Sequence, residues 1–198
     1  MRWRFDLSSL AESKDLLRQA FLDRRSRLSQ AEQENAGEAV VAKLIGQKEI
    51  FNALEIGLYW GMRGELPTMA CFKKLKGGER HLYFPRLNKL DQLEFVEISH
   101  EKELRKGTFG VLEPDPTLSS VSLEQLEVLI IPGVAFDLQG KRLGWGKGYY
   151  DKTLKDFAGM RVGLAYDFQV KEKIPAGDLD EPVDVIITPS RVIECNWR

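Results

Sequence analysis

Residues 127–151 read EVLIIPGVAFDLQGKRLGWGKGYYD and contain the clearest structural pattern in the chain. The apolar run at 127–132 is typical of a buried strand, and a helical pattern begins near Tyr149. The loop that follows Asp137 and precedes this helix contains four glycines: Gly140, Gly144, Gly146 and Gly148. Because glycine lets backbone N–H groups converge on an anion, and a helix start adds partial positive charge, this order predicts a phosphate cradle.

Two familiar phosphate-binding motifs do not fit this loop. The spacing fails GxxxxGK[ST], and the residue after Lys147 is glycine instead of serine or threonine. The GxGxG spacing also lacks the early position in a βαβ unit that a dinucleotide fingerprint needs. A plain glycine-rich turn is the structural alternative. The cations Arg142 and Lys147, two tyrosines and Asp151 within the same ten residues favour a functional loop.

The pattern outside the loop predicts an α/β fold. Residues 13–28 have helical spacing with Ser13 as N-cap, and Ser29 with Glu32 has the spacing of a capping box for a second helix. β-rich runs at 53–60, 81–84, 93–98, 127–132, 161–165 and 183–188 alternate with helical or loop stretches such as 67–76 and 149–157. We expect one domain, 1–198, with a mostly parallel sheet flanked by helices, and a mixed sheet if strands within 86–126 pair antiparallel.

Composition excludes several classes of protein. The 198 residues include 29 basic and 30 acidic side chains, so the overall charge indicates neither a nucleic-acid coat nor a polybasic membrane anchor. Cys71 and Cys195 have no metal-ligand spacing. The longest apolar stretch, 128–136, is too short to span a bilayer, and the first residues lack a secretory pattern. We expect a protein of the reduced cytoplasm.

Two aspartates are candidate ligands for a hard cation. Asp151 falls in the first turn of the helix after the glycine loop, and Asp184 opens the strand at 183–188. Carboxylates beside phosphates suit Mg²⁺. The structural alternatives are a favourable interaction of Asp151 with the helix dipole and a turn capped by Asp184.

Several motifs together resemble the 5-formyltetrahydrofolate cyclo-ligase family. The main match covers the strand and glycine loop, 127–137, 140–144 and 146–151. Weaker matches follow in the family's order across nearly the whole chain: Lys14-x-x-x-Arg18, GELPT at 64–68, YFP at 83–85, GTFGVLEP at 107–114, VGLAY at 162–166 with Gln169, and DEPVD at 180–184 through Thr188. Their collinear order makes the resemblance specific.

The resemblance implies a fold related to sugar-phosphate isomerases and acyl-CoA transferases, with ATP and Mg²⁺ required. It implies that the formyl oxygen of 5-formyltetrahydrofolate takes the γ-phosphoryl group and that N10 then closes the ring to 5,10-methenyltetrahydrofolate. Phosphoryl transfer needs mainly positioning and charge neutralisation, which the loop residues provide. The expected partners are the folate and ATP, with no nucleic acid and no membrane. We expect a monomer, with a dimer as the alternative.

The resemblance also assigns site residues. Arg142 and Lys147 are the expected catalytic cations, and Asp151 and Asp184 the magnesium ligands. The expected ATP-binding set is Lys14, Arg18, Arg142, Leu143, Gly144, Trp145, Gly146, Lys147, Gly148, Tyr149 and Tyr150. The expected folate-binding set is Trp60, Glu65, Phe84, Phe109 and Tyr149, in which Glu65 hydrogen-bonds the pterin. Two cations in the first turns of helix 13–28 would oppose its dipole unless an anion bound there.

Two positions depart from the family pattern. Trp145 stands where the family more often has Arg, Tyr or Gly, and Leu179 where a His often precedes the first aspartate of the late motif. A non-catalytic folate or nucleotide binder of the same fold is therefore the alternative function. A sugar-phosphate isomerase or acyl transferase lacks support, because no activated nucleophile or placed acid-base residue is evident.

Overall fold

The computed structural model describes residues 7–107 and 110–195, in which helices and strands alternate. The helices are α1 (Leu7–Ser26), α2 (Gln30–Leu44), α3 (Lys48–Asn52), α4 (Met69–Leu75) and α5 (Tyr149–Lys155). The strands are β1 (Glu55–Gly57), β2 (His81–Leu87), β3 (Leu93–Glu97), β4 (Leu104–Lys106), β5 (Leu112–Pro114), β6 (Ser120–Val121), β7 (Val128–Ile131), β8 (Ala135–Asp137), β9 (Arg142–Leu143), β10 (Met160–Leu164), β11 (Val170–Lys171), β12 (Val185–Ile187) and β13 (Val192–Glu194).

The main sheet has the strand order β13-β12-β10-β7-β1-β2-β3-β6. Its central pairs, from β12 to β2, are parallel, whereas β13, β3 and β6 pair antiparallel at the two edges. A short antiparallel pair of β4 and β5 lies apart from it. The expected α/β class with a mostly parallel, mixed sheet is confirmed. The antiparallel strands β3 and β6 fall within 86–126 as expected, whereas β13 lies outside this range.

The central strand β7 shows why the sheet is covered on both faces. All four of its residues are buried. Val128 and Ile130 pack in a core with α2 and α4, whereas Leu129 and Ile131 point to the other face and pack with α5. A continuous apolar run is what a strand buried on both faces requires, because neighbouring side chains alternate between the faces.

Of the two helix starts predicted from capping residues, the structure confirms that of α2 but not that of α1. The capping box of α2 is confirmed, since Glu32 N–H donates to Ser29 Oγ and Ser29 N–H donates to Glu32 Oε2. The N-cap assigned to Ser13 is wrong, because α1 already includes Leu7 and the Ser13 hydroxyl donates to Ser9 O within the helix. Lys14 and Arg18 therefore lie beyond the first turn, where the argument from the helix dipole does not apply.

The segment between β7 and α5 contains more than the expected loop. β8 and β9 form an antiparallel hairpin, and β11 pairs with β8 in parallel. The hairpin turns through Asp137, whose Oδ1 accepts hydrogen bonds from the N–H groups of Gln139 and Lys141. This small sheet fixes the start of the glycine loop against the body of the protein.

Among the described helices, none combines the length and apolar content needed to cross a bilayer.

The parallel strands place several chain reversals at one edge of the sheet. The segments after β1, β2 and β7 leave the sheet at this carboxyl edge, where ligands bind in open α/β sheets.

Candidate active site

A cavity of about 300 Å³ lies at the carboxyl ends of the central strands. Tyr59 and Trp60, which follow β1, line it together with Pro85 and Arg86 of β2 and with Pro132 after β7. The glycine loop and α5 complete its wall. The expected residues that line the cavity are Trp60, Glu65, Arg142, Gly144, Trp145, Lys147, Gly148, Tyr149, Tyr150 and Asp151.

Arg142 and Asp151 connect the two ends of the glycine loop. The buried Arg142 guanidinium donates from Nη2 to Asp151 Oδ1 at 2.7 Å, and its Nε has no hydrogen-bond partner among the described residues. A Cβ at Gly144 would lie 2.7 Å from Arg142 Nη1, so only glycine leaves room for the guanidinium here. The loop thus holds one cation inside the cavity wall and leaves Asp151 at its surface.

Lys147 and Tyr149 occupy the outer part of the loop. Lys147 is exposed at the cavity, and no hydrogen bond or ion pair holds its ammonium within the described part of the chain. The hydroxyl of Tyr149 donates to Asp91 Oδ1 at 2.9 Å, which links the start of α5 to the turn between β2 and β3. Lys147 is therefore available to a bound anion.

The two cations of α1 flank the loop on the side away from the cavity. Arg18 donates from Nε to Gly144 O at 2.9 Å and also pairs with Asp15. Lys14 pairs with Asp180, whose carboxylate accepts a hydrogen bond from Gly177 N–H as well. Neither Lys14 nor Arg18 lines the cavity, but α1 and the glycine loop are in contact, as an ATP site formed by both would require.

Glu65 lies buried at the cavity wall with only 5% of its surface exposed. Its Oε1 accepts a hydrogen bond from Trp145 Nε1 at 2.9 Å, and its Oε2 accepts one from Met62 N–H at 3.2 Å. Burial raises the pKa of Glu65, an effect opposed first by Arg25, whose Nη1 is 3.9 Å from Oε1, and then by these hydrogen bonds. Glu65 and Trp145 thus form one unit.

Asp184, Phe84, Leu143 and Gly146 lie away from the cavity, in addition to Lys14 and Arg18. Asp184 lies just before β12, at the amino edge of the parallel strands, and its Oδ2 accepts a hydrogen bond from Arg161 N–H at 2.8 Å. Phe84 is buried in the core against Trp60 and Phe72. Leu143 is buried in a cluster with Phe21 on α1.

These positions correct the expected geometry. The sheet separates Asp184 from the edge where Asp151 lies, and Phe84 lies in the core with Trp60 between it and the cavity. Leu143 contributes its carbonyl to Val134 N–H instead of a side chain to a ligand. Gly146 has a positive φ of 92° and lies outside the cavity, next to Arg18. Phe109 lies outside the described residues.

The described residues fit Mg²⁺ only as an ion shared with phosphate groups. They include no group of three or more His, Cys, Asp and Glu side chains able to hold a metal by themselves. Mg²⁺ commonly binds through one or two carboxylates together with substrate phosphates. Asp151 meets this requirement, because its carboxylate is partly exposed at the cavity with one oxygen on Arg142.

Sequence reasoning missed the arginines around Glu65. Arg25 is 1% exposed behind Glu65, and Arg63 lines the cavity beside the Trp145 ring. The sequence contains one signal that points to Arg25. It follows Arg18 by seven residues, so both lie on the same face of α1.

Comparison with known proteins agrees with the motifs. Residues 10–189 match the model of the 5-formyltetrahydrofolate cyclo-ligase family. This chain belongs to that family. The Escherichia coli K12 5-formyltetrahydrofolate cyclo-ligase is 32% identical over 177 residues, which cover 86% of this chain and 97% of that protein. The Haemophilus influenzae 5-formyltetrahydrofolate cyclo-ligase is 32% identical and covers 82% of this chain and 91% of its own length.

A solved structure of the cyclo-ligase family has the same fold. The NMR structure of Aquifex aeolicus 5,10-methenyltetrahydrofolate synthetase superimposes with a TM-score of 0.83 at 36% identity, over 93% of each chain. The family resemblance drawn from the glycine loop and its collinear motifs is therefore confirmed. The roles of individual residues stay predictions.

Proposed function

We propose that this cyclo-ligase family member converts 5-formyltetrahydrofolate and ATP to 5,10-methenyltetrahydrofolate, ADP and phosphate. One observation carries the assignment: Arg18 of α1 contacts the glycine loop beside a cavity that is lined by Glu65, Lys147 and Asp151. This arrangement combines an anion-binding loop with a buried carboxylate able to accept hydrogen bonds from a heteroaromatic ring.

The reaction needs two steps: phosphorylation of the formyl oxygen, and ring closure at the formyl carbon. The formyl oxygen attacks the γ-phosphorus, the bond to ADP breaks, and the carbon becomes activated by a phosphate leaving group. The N10 nitrogen then attacks this carbon, loses its proton and expels phosphate. No covalent bond to the protein is required, so the protein acts by positioning and by neutralising charge.

The chain offers groups for each of these tasks. Lys14, Arg18 and the backbone of the glycine loop would bind the ATP phosphates, and Lys147 would stabilise charge on the transferred phosphoryl group. Asp151 would hold Mg²⁺ against the phosphates, where the ion supplies further charge neutralisation. Glu65 would accept hydrogen bonds from the pterin, with Trp60 and Tyr149 beside the ring. We further propose that the protein acts in the cytoplasm, as a monomer.

The assay combines the purified protein with 5-formyltetrahydrofolate, ATP and Mg²⁺. We expect equal amounts of ADP and methenyltetrahydrofolate, the latter followed by its near-ultraviolet absorbance. Omission of any component should stop the reaction. Calorimetric binding of the folate without ADP release at high protein concentration would instead favour the non-catalytic binder. The structural observation that supports this alternative is the hydrogen bond between Trp145 and Glu65.

Lys147→Ala tests the phosphoryl-transfer role. Loss of one preorganised charge at the transition state should lower kcat by about 10²-fold or more. The melting temperature should stay unchanged, because no described residue pairs with this exposed side chain. Lys155→Ala, which removes an exposed lysine from the end of α5, is the matched control. Equal activity in the two variants would remove Lys147 from the mechanism.

A further inference from the structure

Arg25 is an unusual residue for the interior of a protein. It is 1% exposed, and within the described part of the chain its side chain makes one hydrogen bond, from Nε to Arg63 O at 3.1 Å. Its Nη1 and Nη2 have no hydrogen-bond partner among the described residues. A buried guanidinium with two unsatisfied nitrogens costs folding stability, and an apolar side chain of similar size would avoid that cost.

The surroundings of Arg25 lead to Glu65. Arg25 Nη1 is 3.9 Å from Glu65 Oε1, beyond hydrogen-bond distance but close enough for a strong charge interaction. The guanidinium carbon also lies 5.1 Å from the centre of the Trp145 ring, and that indole donates to the same Oε1. The loop before Glu65 closes over Arg25, where a Cβ at Gly64 would lie 3.3 Å from Arg25 Cγ.

From this arrangement we infer that Arg25 is a positioning residue that keeps Glu65 ionised and oriented for the bound pterin. The inference rests on the proposed function. A carboxylate accepts hydrogen bonds at both oxygens, whereas a protonated carboxyl group presents an O–H donor at one of them and so is a poorer partner for a pair of ring donors. A carboxyl group as buried as Glu65 needs an adjacent positive charge to remain ionised.

The other groups that face Glu65 do not replace Arg25. The titratable or charged side chains near Glu65 are Arg25 from α1, Arg63 from the same loop, Tyr59 after β1, Tyr150 of α5 and Tyr166 after β10. Burial raises the pKa of all three tyrosines, that of Tyr166 to about 12, so they stay neutral at working pH. Arg63 is exposed, so solvent screens its charge more strongly than that of Arg25.

The experiment measures the Kd of 5-formyltetrahydrofolate by calorimetry between pH 6 and 9 without ATP. For Arg25→Met we expect Kd at pH 7 to rise about tenfold or more, and the pH below which binding weakens to move up by about one unit or more. The loss should shrink towards pH 9, because a higher pH favours the ionised form of Glu65. The Kd of ATP, measured separately, should change less than twofold.

Two further variants separate charge from packing. Arg25→Lys keeps the positive charge and should restore part, but not all, of the affinity and of the pH profile. Arg27→Met removes an exposed arginine of the same region and should match the unaltered protein. If Arg25→Met does not fold, Arg25→Lys gives the result, because its ammonium lies further from Glu65 and should shift the profile in the same direction by a smaller amount.

Glu65→Gln completes the test, since glutamine does not titrate. In that background Arg25→Lys should leave the pH profile unchanged. The inference is overturned if folded Arg25→Met or Arg25→Lys gives the profile of the unaltered protein, or if the loss is the same at every pH. Failure of the unaltered protein to bind or convert the folate would instead overturn the proposed function, so the two failures are distinct.

Discussion

The positions of Asp151 and Asp184 determine what each carboxylate can do. Asp151 lies in the first turn of α5 at the cavity, with one oxygen on Arg142. Asp184 lies at the opposite edge of the sheet and accepts a hydrogen bond from Arg161 N–H. The first carboxylate can contact a metal bound to phosphate, whereas the second satisfies the backbone of a neighbouring strand.

The two positions predict different results on substitution. Asp151→Asn should weaken the apparent Mg²⁺ affinity about tenfold or more, with a small change in melting temperature. Asp184→Ala should leave the Mg²⁺ titration unchanged but lower the free energy of unfolding by about 1–3 kcal/mol, because it leaves the Arg161 N–H without its acceptor. Activity titrated with Mg²⁺ and denaturant unfolding measure the two effects.

Asp156→Asn, at an exposed aspartate after α5, is the control for both variants. A shifted Mg²⁺ titration in Asp184→Ala, with normal stability, would return Asp184 to the metal site. An unchanged titration in Asp151→Asn would remove Asp151 from it.

Residue type and spacing predicted some site positions and not others, for a physical reason. The glycine loop was recognisable because its residues are consecutive, and Arg142, Lys147 and Asp151 do line one cavity. The contact between Arg25 and Glu65 joins positions forty residues apart. It depends on how α1 packs, and a local sequence pattern does not predict this packing. Phe84 shows the converse, since an aromatic residue at a strand end can face the core or the cavity.

At the scale of elements, local capping patterns predicted the start of α2 but not that of α1. The box at Ser29 and Glu32 is complete because both side chains act on backbone groups within four residues. The start of α1 was missed because Ser13, a common cap, instead bonds to the preceding turn. The hairpin of β8 and β9 was missed because glycines in this region suggest a loop, whereas its pairing with β11 depends on tertiary structure.

The capping box of α2 leads to a prediction at this scale. Ser29→Ala removes the acceptor of Glu32 N–H and should lower the free energy of unfolding by about 1 kcal/mol. Ser26→Ala, a nearby exposed serine at the end of α1, is a useful comparison, since its hydroxyl donates to a carbonyl and caps no helix start. Denaturant unfolding midpoints measure the stability of both variants. An unchanged midpoint in Ser29→Ala would mean that packing alone fixes the start of α2.

At the scale of the whole molecule, the proposed site joins segments distant in sequence. α1 supplies Lys14 and Arg18, the segment after β1 supplies Glu65, and the glycine loop supplies Lys147. The Arg18–Gly144 hydrogen bond is a direct connection between the first and last of these segments. A ligand bound by both must stabilise both, because opening either one would release it.

Hydrogen exchange followed by mass spectrometry tests this coupling. A non-hydrolysable ATP analogue with Mg²⁺, at about 100 times its Kd, can stabilise the bound state by up to about 2.7 kcal/mol. Peptides from α1 and from 140–148 should therefore gain protection together, while those from β13, at the far edge of the sheet, should change little. Arg18→Ala should reduce the gain in both segments, since it removes a cation proposed to bind phosphate and the contact with Gly144. Protection confined to the glycine loop would show that α1 takes no part in binding ATP.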